Sequence, residues 1–160
     1  NLRPERLAME DVLDHALAVV ATRVAEKKLT IIKEIPKDLP PVRADRDRLV
    51  QILLNILDNA VKFTQPGGKV AVTASPGTEG YLTVRIADTG VGIPKGEIPR
   101  LGERFYRADK MRSRELGGTG LGLAIVKHLM KAHQGRMTID STLGRGTTVS
   151  LHFPIIQELP

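Results

Sequence analysis

The chain has 160 residues, of which 41% are hydrophobic, and this is enough to bury the core of one domain. It contains no cysteine, which excludes a disulfide framework and a thiolate metal site, and its apolar runs are too short to span a bilayer. The formal charge of +6 favours an anionic partner, but aromatic residues, at 3%, are too few to stack against single-stranded nucleic acid.

The first part of the chain is predicted to form two helices with a strand between them. Apolar residues recur at helical spacing from Arg6 to Lys28, and the sequence LTIIKEI that follows is typical of a strand. Three prolines in PKDLPPV interrupt the pattern. A second helix is predicted to begin at a cap formed by Asp45 or Asp47 and to continue through Phe63.

The second part is predicted to form strands around a third helix. KVAVTAS and YLTVRIAD alternate apolar and polar residues, which predicts two antiparallel strands joined by a Gly/Pro turn. A glycine-rich stretch follows, and then LGLAIVKHLMKAH is predicted to be a helix that Gly135 ends. RMTID and TTVSLHFP are the last predicted strands. This order of elements predicts an α+β fold, a two-layer sandwich of helices on a largely hairpin-connected sheet.

The second predicted helix has an apolar stripe and a polar stripe. The polar stripe consists of Arg48, Gln51, Asn55, Asp58, Asn59 and Lys62. A solvated surface would explain such a stripe. However, each asparagine costs a helix about 0.5 kcal/mol relative to alanine, so two of them one turn apart favour a functional use. An amide oxygen can ligate Mg²⁺ without adding charge, and a lysine can contact a phosphate oxygen.

Two glycine-rich sequences flank a basic segment. DTGVGIP follows a predicted strand, so that Asp88 lies at the strand end, and Gly90 and Gly92 can adopt positive φ or let a ligand approach the backbone. GGTGLG leads into the third helix, where free N–H groups can bind phosphate. The basic segment ERFYRADKMRSRE between them would then be a lid. A plain turn and a solvated, flexible loop would explain the same sequences equally well.

Five sequences in a fixed order resemble the N, G1, F, G2 and G3 boxes of the sensor histidine kinase catalytic domain, and they lie within residues 45–153. These sequences are QILLNILDNAVKFT, DTGVGIP, ERFYRAD, GGTGLGLAIVKHLMKAHQG and GRGTTVSLHF. The region of the F and G2 boxes is most similar to the phosphate-sensor type. The phosphate-loop and dinucleotide-binding motifs of other nucleotide sites are missing. The resemblance implies the Bergerat-type ATP-binding fold, a mixed sheet covered on one face by three helices.

The resemblance also implies a role for each matching position. It makes Asn59 the Mg²⁺ ligand, with Asn55 beside the triphosphate and Lys62 on a phosphate oxygen. It makes Asp88 the acceptor of a hydrogen bond from the exocyclic amine of adenine, with Thr147 assisting through water. The implied cofactors are therefore ATP and Mg²⁺.

The remaining implied contacts lie mainly in the lid and its glycine-rich borders. Arg107 would contact the phosphates, with Lys110 and Arg112 assisting, and Arg107 would complete a catalytic set with Asn55 and Lys62. The implied contacts around the nucleotide are completed by Gly90, Gly92, Ile93, Gly118, Thr119, Gly120, Leu121 and Gly122.

Two departures from the family pattern affect the expected function. Gly102 stands where the F box usually carries a phenylalanine, so the packing of the lid is expected to differ. No His-Glu/Asp-x-x-x-Pro phosphoacceptor motif is present, and the sequence around His15 lacks the acid and the proline. Residues 1–160 are therefore expected to be a single catalytic ATP-binding domain of a larger histidine kinase, without its dimerisation helices and sensor region.

The implied function is to bind Mg-ATP and to donate the γ-phosphate to a histidine on a separate dimerisation domain. A response regulator would then receive the phosphate. The resemblance implies a cytoplasmic domain of a homodimeric, membrane-linked protein, and no nucleic-acid partner is expected.

Two other functions remain open. One is a stand-alone ATPase or serine kinase of the same superfamily. Rapid hydrolysis is disfavoured because Asn55 occupies the position of the water-activating glutamate in the hydrolysing relatives, and an amide cannot act as a general base. The other is a basic nucleic-acid-binding module, which the charge of +6 would explain and which would bind DNA with a steep salt dependence.

Overall fold

The computed structural model of the chain describes residues 1–77, 79–93 and 122–156. The helices are α1 (Met9–Glu26), α2 (Arg46–Phe63) and α3 (Gly122–Ala132). The strands are β1 (Pro4–Leu7), β2 (Thr30–Glu34), β3 (Val42–Asp45), β4 (Lys69–Pro76), β5 (Tyr81–Asp88), β6 (Arg136–Thr142) and β7 (Gly146–Pro154). The three predicted helices and five predicted strands are present within a few residues of their expected bounds.

The main sheet contains five strands in the order β2-β4-β5-β7-β6. β2 pairs with β4 in parallel, and every other neighbouring pair in this sheet is antiparallel. The predicted hairpin of β4 and β5 is therefore confirmed. Ile86 of β5 lies opposite Val72 of β4 and Val149 of β7, so that apolar side chains from neighbouring strands share one face.

The helices cover this apolar face and enclose the core. Side chains from both layers are at most 2% exposed, among them Leu53 and Ile56 of α2, Val84 of β5, and Leu151 and Phe153 of β7. The predicted two-layer α/β sandwich with a mixed sheet under three helices is confirmed. None of the described helices is long and apolar enough to cross a membrane.

The predicted apolar stripe of α2 is confirmed, because Leu49, Ile52, Leu53, Ile56 and Ala60 are at most 4% exposed. Of the two aspartates considered as the cap, Asp45 fills the role. Its Oδ1 accepts a hydrogen bond from the backbone N–H of Arg48 at 3.1 Å. This bond fixes where α2 begins, and therefore the direction in which its polar stripe faces.

A histidine connects the end of α3 to the start of α2. The backbone N–H of Asp45 donates to Nε2 of His133 at 3.2 Å, while Nδ1 of the same ring lies 2.8 Å from the carbonyl oxygen of Leu129. Since Nε2 accepts and the carbonyl can only accept, the ring proton is on Nδ1. His133 is thus a structural residue.

The amino terminus departs from the predicted helix, which was expected to begin near Arg6. Residues 4–7 instead form β1, which pairs antiparallel with β3 in a separate two-stranded sheet. Leu7 lies opposite Val42, and both side chains are at most 2% exposed. Burial of this pair favours the strand, and the helical apolar pattern begins only at Met9.

Candidate functional site

Asp88 lies half-buried at the end of β5, opposite Thr147 of β7. Its Oδ1 accepts hydrogen bonds from the backbone N–H groups of Gly90 at 2.8 Å and Thr147 at 3.3 Å. Burial raises the pKa of the Asp88 carboxyl, and these two bonds lower it by less. Its Oδ2 makes no hydrogen bond to the residues that the structure describes, so this oxygen is available to accept one from a ligand.

The two glycines of DTGVGIP are required by close approaches within the protein. Gly92 has φ +74°, and a Cβ atom there would overlap the carbonyl oxygen of Thr142. A Cβ atom at Gly90 would overlap the carbonyl oxygen of Phe63, the last residue of α2. The N–H of Val91 donates to the same Phe63 oxygen at 3.3 Å. The loop after β5 is therefore packed directly against the end of α2, and a role of these glycines toward a ligand stays a prediction.

Ser141 belongs to the Asp88 side of the site although it was not among the predicted residues. It is 4% exposed, and its Oγ accepts from the N–H of Ile93 at 2.8 Å. The same oxygen donates to the carbonyl of Gly146 at 2.9 Å and lies 2.8 Å from Oγ1 of Thr147. Asp88, Ser141 and Thr147 also line a depression of about 180 Å³. A hydroxyl residue at an inward-facing position of RMTIDST was the available signal in the sequence.

The polar stripe of α2 forms the other part of the candidate site. Asn55 and Asn59 are half-buried, and neither amide makes a hydrogen bond to any described residue. Lys62 instead has a partner, because its Nζ lies 3.1 Å from Oδ2 of Asp58. Asp58 also forms an ion pair with Arg23 of α1. The stripe therefore offers two amides with unused hydrogen-bonding capacity, and a lysine that is paired with Asp58.

The start of α3 lies beside the same stripe. A Cβ atom at Gly122, the first residue of α3, would lie 3.9 Å from Oδ1 of Asn55. The first turn of a helix carries free N–H groups and a partial positive charge, which favours an anion at this end of the stripe. The other predicted residues of the lid region lie outside the described residues. They are Gly102, Arg107, Lys110, Arg112, Gly118, Thr119, Gly120 and Leu121.

The donor atoms present fit a Mg²⁺ ion that arrives with a triphosphate. In residues 1–77, 79–93 and 122–156, no group of three or more His, Cys, Asp or Glu side chains is arranged to hold a metal. The Asn59 amide supplies one oxygen of the kind that Mg²⁺ prefers, and Mg²⁺ usually takes its other ligands from water and phosphate. The ion therefore fits at Asn59 as part of a complex with a phosphate-bearing ligand.

The described residues thus form two chemically different groups joined by the contact between Val91 and Phe63. At one end, an oxygen of the half-buried Asp88 carboxylate can accept a hydrogen bond from a ligand. At the other end, two amides, a lysine and a helix amino terminus can bind an anion or a hydrated cation. Such an arrangement suits a ligand with a hydrogen-bond donor at one end and phosphates at the other.

Residues 44–157 match the profile of the family described as histidine kinase-, DNA gyrase B-, and HSP90-like ATPase. The adaptive-response sensory kinase SasA of Synechococcus elongatus is 35% identical over 155 residues, which are 97% of this chain and 40% of SasA. The sensor histidine kinase WalK of Bacillus subtilis is 40% identical over 134 residues, 83% of this chain and 22% of WalK.

The structure of full-length ShkA in complex with AMPPNP aligns with a TM-score of 0.86 at 33% identity, over 100% of this chain and 33% of ShkA. The chain spans less than half the length of each of these three relatives.

Proposed function

Because the chain belongs to the family of histidine kinase-, DNA gyrase B- and HSP90-like ATPases, we propose that it binds Mg-ATP and donates the γ-phosphate to a histidine on another domain. SasA and WalK, which it resembles, are sensory kinases, and ShkA was solved with the ATP analogue AMPPNP. The observation that carries the proposal is the half-buried Asp88, whose Oδ2 has no partner among the described residues.

Asp88 binds the adenine base in this proposal. Its Oδ1 is already used by two backbone N–H groups, which hold the carboxylate in one orientation. The remaining oxygen accepts a hydrogen bond from the exocyclic amine of adenine. A charged acceptor in a partly desolvated position makes a hydrogen bond worth about 1.5–3 kcal/mol. Thr147, opposite Asp88, assists through water.

The α2 stripe binds the triphosphate. Asn59 contributes the amide oxygen for Mg²⁺, Asn55 lies beside the phosphates, and Lys62 leaves Asp58 to contact a phosphate oxygen. When bound, Mg²⁺ would neutralise charge that develops on the phosphates. Arg107, Lys110 and Arg112 contact the phosphates from the lid. The glycine-rich border completes the site with Gly118, Thr119, Gly120, Leu121 and Gly122.

The amide of Asn55 favours transfer of the γ-phosphate over hydrolysis of ATP. An amide at this position cannot take a proton from water, so attack by water receives no general base from residue 55. Phosphoryl transfer requires chiefly positioning and neutralisation of charge, which Lys62 and Arg107 provide. The nucleophile is an imidazole nitrogen of a histidine outside residues 1–160. The chain acts as a donor domain with slow hydrolysis.

The partners follow from this donor role. We propose that residues 1–160 are one catalytic domain and that the phosphoacceptor histidine lies on helices of a separate dimerisation domain of the same protein. A response regulator would accept the phosphate on an aspartate. The full-length protein would be homodimeric and membrane-linked, with this domain in the cytoplasm.

Calorimetric titration with ATP, with and without Mg²⁺, tests the binding step. Asp88→Asn should lower ATP affinity by more than about 100-fold, because the variant loses a charge-assisted bond and presents an amide donor to the amine. Asp38→Asn is the matched control, since Asp38 is exposed on the connection between β2 and β3. ATP affinity that is unchanged by Asp88→Asn would remove Asp88 from the base site.

Transfer is tested by adding a dimerisation domain of a related histidine kinase together with ATP labelled at the γ-phosphate. The expected product is an acid-labile, base-stable phosphohistidine on the added domain, with little free phosphate released by the chain alone. Rapid phosphate release without the added domain would indicate an ATPase instead. Acid-stable label on serine would indicate a serine kinase, and salt-sensitive DNA binding without ATP binding would indicate a nucleic-acid module.

A further inference from the structure

Three residues lie side by side on three adjacent strands at the Asp88 end of the site. Thr147 of β7 lies opposite Asp88 of β5 on one side and opposite Ser141 of β6 on the other. Residues paired in this way share one face of the sheet. Here that face also carries Ile86 and Val149, which pack in the core under the helices. Ser141 is the most buried of the three side chains, at 4% exposed, whereas Asp88 and Thr147 are half-buried.

The hydrogen bonds of Ser141 account for its whole bonding capacity. A hydroxyl group has one proton to donate and two lone pairs to accept with. The carbonyl oxygen of Gly146, at 2.9 Å, can only accept, so it takes the Ser141 proton. The N–H of Ile93, at 2.8 Å, can only donate, so it occupies one lone pair. The second lone pair remains for Oγ1 of Thr147, at 2.8 Å, and the proton of that contact therefore comes from Thr147.

We infer that Ser141 is a specificity-determining residue that makes Thr147 a pure hydrogen-bond acceptor toward the ligand. The only hydroxyl proton of Thr147 is directed at Ser141, so its lone pairs alone face the site, and a water between Thr147 and the base must donate one of its two protons to Thr147. Together with Oδ2 of Asp88, they form an edge that accepts hydrogen bonds and donates none. This edge favours a base that carries an amine and disfavours one that carries an oxygen at the same position. The inference rests on the proposed binding of ATP and adds the reason for its base selectivity.

The test compares three triphosphates that differ only at position 6 of the purine: ATP, purine riboside triphosphate and 6-methoxypurine riboside triphosphate. The amine of ATP donates, the hydrogen of the second compound neither donates nor accepts, and the ether oxygen of the third accepts. The native chain should bind them in that order of decreasing affinity. Removing the Ser141 hydroxyl frees Thr147 to rotate and donate to the bridging water, which then keeps a proton for the ether oxygen.

Ser141→Ala should therefore narrow the affinity ratio of ATP to the methoxy compound by about tenfold. The methyl group of the methoxy compound is present with both the native chain and the variant, so its steric effect cancels when their affinity ratios are compared. Ser150→Ala is the matched control, because Ser150 lies in β7 on the opposite face of the sheet, and it should leave the ratio unchanged. In the Thr147→Val background, Ser141→Ala should no longer change the ratio, since no hydroxyl remains to be oriented.

The result distinguishes a specificity role from a structural one. If Ser141→Ala weakened all three ligands by the same factor, Ser141 would only support the fold and the inference would be wrong, while ATP binding stood. If the native chain did not bind ATP, both the inference and the proposed function would be wrong. Should Ser141→Ala fail to fold, the inference is tested instead by the affinity ratio of ATP to the methoxy compound in Thr147→Ser and in Thr147→Val. Thr147→Ser should keep the native ratio and Thr147→Val should narrow it, and equal ratios would overturn the inference.

Discussion

The Asp88 end of the site, which we propose as the base end, is held together by hydrogen bonds, whereas the α2 end, which we propose as the phosphate end, is not. Around Asp88, backbone N–H groups hold Oδ1 of the carboxylate, and the Ser141 hydroxyl holds Oγ1 of Thr147. On α2, the amides of Asn55 and Asn59 make no hydrogen bond to the described residues, and Lys62 is engaged by Asp58. The difference indicates that the base end is formed before a ligand arrives. Under the proposed function, the phosphate end would be completed by the ligand and its metal.

The strongest test of this comparison uses a glycine from each end. Gly92→Ala should reduce the free energy of unfolding by about 3 kcal/mol, because it combines a strained positive φ with overlap at the Thr142 carbonyl. Gly122→Ala should instead leave stability unchanged or raise it by up to about 1 kcal/mol, since alanine favours helix and its Cβ would meet, among the described residues, only Asn55, at 3.9 Å. Urea unfolding with unchanged m-values measures both. Equal losses at the two positions would contradict the comparison.

Asn59 should separate metal-dependent from metal-independent binding. Asn59→Ala removes the proposed amide ligand, and we expect Mg-ATP affinity to fall by about 10- to 30-fold while affinity for ATP in excess chelator stays the same. Asn55→Ala is the control at the neighbouring turn and should weaken ATP equally with and without Mg²⁺. The Asn59 variant should also be slightly more stable, because alanine is the better helix former. An unchanged dependence on Mg²⁺ would assign the metal to other groups.

Most of the fold could be predicted from the sequence because its elements have regular apolar patterns. The helix that carries Asn55 and Asn59 was expected to end at Phe63, and α2 ends there. The two short strands β1 and β3 could not be predicted, because only their pairing buries Leu7 against Val42. A contact between residues this far apart leaves no local pattern.

The candidate site was predictable in its residue types and unpredictable in its contacts. The sequence placed Asp88 at a strand end, and the strand does end there. Ser141 was missed because one serine in a strand has no distinguishing pattern until Ile93 and Thr147 are brought to it. Lys62 and Asp58 are one helical turn apart, and this spacing in the sequence is compatible with an ion pair. Only the structure shows that the pair forms, so that Asp58 would compete with a phosphate for Lys62.

The raised pKa of Asp88 predicts opposite effects of acid on binding and on stability. In the proposed complex, the ionised Oδ2 of Asp88 accepts a hydrogen bond from the adenine amine, and protonation would turn that oxygen into a donor. ATP affinity should therefore fall by up to about tenfold per pH unit once pH drops below the folded pKa, which lies above the ordinary 3.8. The buried charge of ionised Asp88 lowers the free energy of unfolding. This destabilisation should diminish as pH falls through the same interval, because the carboxyl becomes neutral.

Calorimetry and urea unfolding between about pH 4 and pH 7 would measure both effects of Asp88 ionisation. Asp38→Asn should show the same loss of ATP affinity as the native chain. The difference in stability between the native chain and Asp88→Asn should shrink as pH falls, because the native carboxyl becomes neutral. A difference that grew toward acid would mean that the ionised carboxylate stabilises the fold.

The ion pair of Lys62 with Asp58 should oppose ATP binding weakly. Nζ of Lys62 lies 3.1 Å from the Asp58 carboxylate, and such pairs one turn apart on a helix contribute about 0.3–0.5 kcal/mol. Asp58→Asn frees the lysine and removes a negative charge near the phosphates, so ATP affinity should rise by about two- to fivefold, with a smaller rise at high salt. Arg23→Met, which removes only the other partner of Asp58, should not raise affinity. A loss of affinity in Asp58→Asn would mean that Asp58 orients Lys62 for the phosphate, and the phosphate end would then be as preformed as the base end.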